Sequence, residues 1–244
     1  MRLPWLDEAD PEAPFPPLEA ALAQPNGLLA AGGGLEPERL LRAYRAGIFP
    51  WYSQGQPVLW WSPDPRLALF PAEFRLRRSL AKAQRQPGWR ITTNRAFEAV
   101  MRACAATPRP GQEGTWITED MLAAYSHLHS LGWAQSVEVW HGAELAGGLY
   151  GLRLGAVFFG ESMFSRRRDA SKLALAALCQ AAPVNGLTLI DCQVVTPHLL
   201  NLGARPLPRP EFRALLLRFI PPACPPEPLR LDAKNPIIGP HPAA

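Results

Sequence analysis

The spacing of apolar positions changes period along the chain, and those changes mark its elements. Residues 37–46 place Leu40, Leu41 and Tyr44 on one side, with Pro37 in the first turn and Gly47 as a stop, which predicts a short helix. Asn94 is expected to cap a second helix, whose apolar face is Phe97, Val100, Met101 and Cys104. Thr118 is expected to cap a third, with Glu119 and Asp120 in its first turn, Met121, Tyr125 and Leu128 on one side, and Gly132 at its end. From Ser136 the period drops to two. Ser136-Val137-Glu138-Val139-Trp140 alternates, His141-Gly142 turns, residues 145–154 alternate loosely with glycines, and Leu154-Gly155 turns into Ala156-Val157-Phe158-Phe159. This is the pattern of an antiparallel meander. An Ala- and Leu-rich helix over 169–182, a strand over 187–193 and a short helix near 197–202, closed by Gly203, complete the pattern.

Helices, then a meander, then helix–strand–helix predict an α+β domain with a mixed sheet over residues 65–220. Residues 1–64 form a smaller, aromatic-rich N-terminal unit. Its first 25 residues are expected to be irregular, given Pro4, Pro11, Pro14, Pro16, Pro17 and Pro25. Trp51, Trp60 and Trp61 lie beside prolines, so this stretch cannot be regular helix; most of these rings belong in a core, and one or two could line a cleft. Residues 221–244 are a proline-rich tail (Pro221, Pro222, Pro225, Pro226, Pro228) expected to be loosely ordered.

Composition narrows the classes. At 244 residues and 48% hydrophobic content, one large domain or two small ones can bury a sizeable core. No apolar stretch nears the ~20 residues of a membrane helix, and the N-terminus has no signal-peptide core. A cytoplasmic protein is expected. Cys104, Cys179, Cys192 and Cys224 show no metal-ligand or disulfide spacing, which favours reduced thiols. The net charge of +4 permits a polyanionic partner.

The charge is concentrated in two places. Arg39, Arg42 and Arg45 make a stripe that is either a solvated face or a phosphate contact. Arg75, Arg77, Arg78, Lys82 and Arg85 are opposed only by Glu73; Arg78, Lys82 and Arg85 would share a helix face. That patch is either a solvated face or a contact for a nucleic-acid backbone.

The candidate chemistry is economical. There is no G-x-S-x-G elbow, no Walker loop and no H-E-x-x-H site; the Gly32-Gly33-Gly34 cluster lacks nucleotide-loop spacing, and no metal site or cofactor is expected. Two apolar strands each end on polar groups, one at Glu161 and the other at Asp191 with Gln193 two residues on. In an extended chain Gln193 would lie on the same side as Asp191. Burial would make either carboxylate a better base. Equally, both could be strand-end groups satisfied by backbone donors.

Several stretches in register resemble the leucyl/phenylalanyl-tRNA–protein transferase family: Pro25-Asn26-Gly27-Leu28-Leu29-Ala30, Tyr44-Arg45-Ala46-Gly47-Ile48-Phe49-Pro50-Trp51, Leu59-Trp60-Trp61-Ser62-Pro63-Asp64-Pro65-Arg66, Glu113-Gly114-Thr115-Trp116-Ile117-Thr118, Gly160-Glu161-Ser162-Met163-Phe164-Ser165 and Ile190-Asp191-Cys192-Gln193-Val194. The resemblance runs from about Phe15 to about Phe212. It implies an acetyltransferase-related (GNAT-like) mixed-sheet domain after a small N-terminal α/β domain. It implies a cytoplasmic, monomeric enzyme without cofactor or metal. Such enzymes move Leu or Phe, less readily Met, from aminoacyl-tRNA to the N-terminal Arg or Lys of a protein, marking it for N-end rule degradation. The tRNA ester is already activated, in keeping with the missing Walker loop.

Carried over residue by residue, the resemblance makes Asp191 and Gln193 a catalytic pair, Asp191 orienting Gln193 and the Gln193 carbonyl drawing the proton from the attacking amine. Glu161 becomes a further active-site carboxylate. Leu149, Phe158, Met163 and Leu175 become the lining of the donor side-chain pocket. Trp51 and Trp116, with Tyr44 and Tyr125 nearby, become the holders of the terminal adenosine. Arg77, Arg78, Lys82 and Arg85 become the contact for the acceptor stem. Leu149 stands where a methionine is expected, a change of similar volume that should shift Leu against Phe preference while keeping the specificity class. Val194-Val195-Thr196-Pro197-His198 departs from an Asn-Asp-His pattern; Thr196 can still form a hydrogen bond, whereas Pro197 has no N–H. A tRNA-binding module without catalysis would not need Glu161, Asp191 and Gln193. A CoA-dependent acetyltransferase would need a glycine pattern that Ser165-Arg166-Arg167-Arg168-Asp169-Ala170 lacks.

Overall fold

The computed structural model describes residues 3–108 and 115–231. Glu113 and Gly114 lie outside the described residues. In chain order the elements are β1 (Trp5–Leu6), β2 (Leu28–Gly32), α1 (Pro37–Ala46), β3 (Phe49–Pro50), β4 (Leu59–Trp61), β5 (Arg66–Leu69), α2 (Arg78–Gln84), β6 (Trp89–Thr93), α3 (Phe97–Ala105), α4 (Glu119–Ser130), β7 (Ala134–His141), β8 (Glu144–Leu154), β9 (Val157–Ser165), α5 (Ala170–Gln180), α6 (Ala182–Asn185), β10 (Leu189–Gln193), α7 (Pro197–Leu200), β11 (Arg205–Leu207) and α8 (Arg209–Phe219). Among the described residues the strands form two sheets, ordered β1-β2-β4-β3 and β11-β5-β10-β9-β8-β7-β6.

The second sheet is the mixed sheet of an α+β fold. The β7–β8–β9 meander supplies its middle, and its one parallel pair, among the described strands, is β9 with β10. A parallel pair needs a crossover, which α5 and α6 provide. The crossover sets Leu189, Ile190 and Asp191 of β10 beside Val157, Phe158 and Phe159 at the start of β9. Period-two alternation then sorts side chains to two faces. Tyr150, Leu152 and Phe159 pack with α3, α4 and the N-terminal residues Leu40 and Trp60. Leu149, Phe158 and Ile190 pack with Leu173, Leu175 and Leu178 of α5. Helix α5 is buried nearly all round, as its Ala–Leu composition predicts.

Four expectations change. The first 25 residues are not wholly irregular: β1 pairs in parallel with β2, Trp5 against Ala31 and Leu6 against Gly32. Pro4 comes before this edge strand, where a missing N–H removes no ladder bond. Asn94 is not a helix cap. The N-cap position of α3 is Ala96, and Asn94 takes a left-handed φ of 58°. Its amide accepts from Ser136 N at 2.9 Å and donates to Gln135 Oε1 at 2.6 Å, tying the turn to β7. Thr118, by contrast, does cap α4, accepting from Met121 N at 3.2 Å.

The Arg39–Arg42–Arg45 stripe is not a bare solvated face, because each guanidinium is engaged within the chain. Arg39 is fully buried and donates to Asp7 O and Asp10 O at 3.0 and 2.9 Å. Arg42 pairs with Glu12, and Arg45 donates to Pro221 O. The stripe fastens both chain ends to α1. The tail is accordingly anchored over residues 221–231; residues 232–244 lie outside the description. Arg153 pairs with Glu227 at 2.7 Å, Asn185 brackets Arg230, and the Leu229 side chain is buried.

Candidate active site

Two β-bulges build the site. Glu161 does not end a strand, because β9 continues to Ser165. Opposite it, Tyr150 pairs with Ser162 and Gly151 with Gly160, so Glu161 is the extra residue of a bulge. A bulge re-aims its side chain and breaks the alternation. Gly151 permits this: a Cβ there would sit 2.0 Å from Phe159 O. The second bulge is in β10, where Asp191 pairs with Ala68 but Gln193 already pairs with Leu67. Gln193 adopts φ 61°, so its position is not set by extended alternation as the sequence suggested. A hydrogen bond sets it instead: Gln193 N donates to Asp191 Oδ1 at 2.9 Å.

Asp191 is fully buried and its second partner is Arg66, also buried. Arg66 Nε meets Oδ1 at 2.8 Å and Nη2 meets Oδ2 at 2.6 Å, a two-pronged ion pair. Arg66 Nη1 also donates to Gly47 O at 3.2 Å, and the guanidinium lies over the rings of Phe49 and Phe212. Sequence reasoning did not single out Arg66 for chemistry. The available signal was a charge inside the otherwise apolar strand Arg66-Leu67-Ala68-Leu69.

Glu161 is held by three donors. Tyr44 Oη donates to Oε1 at 2.7 Å, Gln193 Nε2 to Oε1 at 2.8 Å, and Tyr125 Oη to Oε2 at 3.3 Å. The two tyrosine hydroxyls are also in hydrogen-bond contact. Burial pushes the Glu161 carboxyl up to about 8, with Asp191's negative charge adding to it; the Tyr44 and Tyr125 bonds and the Arg66 charge only partly offset this. Burial likewise holds both tyrosines well above their ordinary range, and Glu161 adds to it, so they stay protonated as donors. With its Nε2 given to Glu161, the Gln193 amide keeps its carbonyl oxygen free to accept.

These groups open into a cavity of about 410 Å³. Leu149, Phe158, Met163 and Leu175 line it, joined by Leu178 and Ile190. Trp51 and Trp116 line it beside Phe49 and Pro50, and Glu161, Asp191 and Gln193 supply the polar wall. Tyr44 and Tyr125 correct the expectation: both are fully buried, do not line the cavity, and stand behind Glu161. Tyr150, Gly160 and Ser162 also line it, as do Cys192, Val194, Thr196, His198 and Leu199, which were not assigned a role from sequence and whose signal was proximity to Gln193. Thr196 caps α7, accepting from Leu199 N at 3.3 Å, with Pro197 in the first turn. The Cys192 thiol is held well above its ordinary range by burial first and Asp191 second, which disfavours a thiolate.

Arg77, Arg78, Lys82 and Arg85 lie on the surface, outside the cavity. Arg77 donates to Asn201 Oδ1 at 3.0 Å, next to α7. Glu73, the acidic neighbour of this patch, pairs with Arg205. Among the described residues no group of His, Cys, Asp and Glu is placed to hold a metal ion, and no helix is long and apolar enough to cross a membrane.

Comparison with known proteins places the chain among its relatives. Residues 68–217 match the family described as leucyl/phenylalanyl-tRNA protein transferase, and residues 33–64 match its N-terminal domain. A leucyl/phenylalanyl-tRNA–protein transferase of Cupriavidus metallidurans is 57% identical over 217 residues, covering 86% of each chain. One from Nitrosomonas europaea is 58% identical over 201 residues, covering 82% of this chain and 85% of the other. Among solved structures, a GCN5-related N-acetyltransferase from Kribbella flavida aligns over 66% of this chain and 56% of its own at 16% identity, with a TM-score of 0.35.

Proposed function

The chain belongs to the leucyl/phenylalanyl-tRNA–protein transferase family, and from that premise we propose that it moves Leu or Phe, less readily Met, from aminoacyl-tRNA to the N-terminal Arg or Lys of an acceptor protein. It is a transferase. The product would carry an N-end rule degradation signal, and the enzyme would act as a cytoplasmic monomer. One observation carries the reading: a single cavity joins an apolar pocket, two tryptophans and a carboxyl group hydrogen-bonded to a neighbouring amide.

The donor's side chain enters among Leu149, Phe158, Met163 and Leu175, which suits an apolar group unbranched at Cβ. Trp51 and Trp116 hold the terminal adenosine; stacking of that kind is worth about 1–3 kcal/mol per base. Arg77, Arg78, Lys82 and Arg85 take the acceptor stem. The acceptor's α-ammonium, with an ordinary pKa of about 8, hydrogen-bonds to the Gln193 carbonyl. Ionised Glu161 is matched to it and takes a proton. The amine then attacks the ester carbonyl carbon. The C–N bond forms, the bond to the ribose oxygen breaks, and that oxygen leaves with a proton from the amine. Asp191, committed to Arg66 and to Gln193 N, is not the base; it fixes Gln193. Positioning of this kind can supply much of the acceleration when the ester is already activated.

The test mixes the protein with labelled Leu-tRNA or Phe-tRNA and a peptide beginning with Arg or Lys, without ATP. Label is expected on the peptide. No transfer overturns the reading.

A further inference from the structure

We propose that Arg66 is the positioning residue of the reaction: its guanidinium fixes the Asp191–Gln193 strand end against the corner between α1 and β3, holding the amide that accepts the amine's hydrogen bond and the adenosine-holding aromatic in one rigid relation. This rests on the function proposed above. Three sets of contacts carry it. The fork on Asp191 engages both carboxylate oxygens, and Oδ1 also accepts from Gln193 N. That bond is what holds a non-glycine residue at φ 61°. The third guanidinium nitrogen binds Gly47 O, the last turn of the helix whose Tyr44 donates to Glu161. The ring faces of Phe49 and Phe212 clamp the guanidinium from β3 and α8, and Phe49 leads directly to Pro50 and Trp51 in the cavity lining. Arg66 therefore touches, at one remove, both the Gln193 and the Trp51 walls, yet is absent from the lining itself. A lysine could match the charge but not the planar fork.

The measurement is kcat and KM for aminoacyl-tRNA together with thermal unfolding, for the wild type, Arg66→Lys, Arg66→Met, Asp191→Leu and the Arg66→Met/Asp191→Leu pair. Both single apolar variants strand a buried charge and are expected to unfold earlier. The pair removes both charges and is expected to regain most of that stability. The rate is expected to behave differently. Arg66→Met lowers kcat about 100-fold with KM within about threefold, and the pair stays as slow as its slower parent. Arg66→Lys, which keeps the charge, falls about tenfold in kcat. Recovery of kcat along with stability in the pair would make Arg66 merely structural and overturn the proposal. So would a folded Arg66→Met or Arg66→Lys with wild-type kcat. If Arg66→Met does not fold, Arg66→Lys and the pair decide the matter by the same criteria. Inactive wild type would instead remove the parent reading, whatever the variants do.

Discussion

In the proposed reaction Glu161 pulls activity and stability in opposite directions. Its carboxyl is enclosed by Tyr44, Tyr125 and Gln193, with Asp191 and Arg66 as the nearby charges, and it holds its proton to about 8. Unfolded, the same group ionises near 4.3. Between these values the folded chain binds the extra proton. The sign follows: this contribution to stability is fully present below about 4.3 and is lost as pH rises through about 8. The proposed proton transfer needs the ionised form that the fold disfavours. Glu161→Gln should therefore show a flatter fall in thermal midpoint between pH 5 and pH 9 than the wild type, while its kcat drops about 100-fold. Parallel midpoint curves for the two proteins would contradict the raised pKa. A Glu161→Gln enzyme with undiminished kcat would remove the carboxylate from the proton transfer.

At the scale of elements, periodicity made the fold legible. The meander, the apolar face of α3, the cap of α4 and the buried α5 follow from spacing, because local pattern and tertiary burial agree there. The site was less legible because it depends on breaks in that pattern. Period two places Gln193 by alternation, but the bulge after Asp191 and the left-handed backbone place it otherwise. Glu161 looked like a strand end because its bulge is invisible without the register of β8. Tyr44 and Tyr125 showed only their apolar helix faces; that their hydroxyls converge from 81 positions apart is a property of packing. The basic patch is the opposite case, since surface charge on one short helix needs no tertiary information. For that element the expected outcome is specific. Lys82→Ala with Arg85→Ala should weaken aminoacyl-tRNA binding and flatten its salt dependence by close to two released counterions, leaving single-turnover chemistry at saturation within about threefold. A double variant with unchanged salt slope would take the acceptor stem off α2.

At the scale of the whole molecule, the least expected feature is the tail. The sequence reading made it a loose proline-rich end, yet residues 221–231 run past elements of both sheets' surroundings. Arg45 of α1 holds Pro221 O and reaches Cys224 Sγ, Pro226 lies against Gly132, and Arg153 of β8 takes Glu227. Leu229 is then fixed on both sides, its N–H to Gln135 and its carbonyl to Thr93, before Asn185 takes both backbone groups of Arg230. Prolines suit such a strap: they have little backbone freedom to lose, and the carbonyls they keep are what the arginines grip. None of Arg45, Thr93, Gln135, Arg153 and Asn185 lines the cavity. The strap should thus act on stability and not on chemistry. Burial of Leu229 and the bonds to Arg153 and Asn185, net of the ordering entropy, should be worth about 1–3 kcal/mol. At roughly 2–4 °C per kcal/mol for a chain of this size, deleting residues 221–244 should lower the thermal midpoint by several degrees. Arg153→Met should reproduce part of that fall in the full chain and little of it in the truncated one, because its partner Glu227 is already gone. Both proteins should keep kcat within about threefold. An unchanged midpoint would mean that the strap rests on the sheet without holding it, and a collapse of kcat at normal stability would make it part of the catalytic machinery.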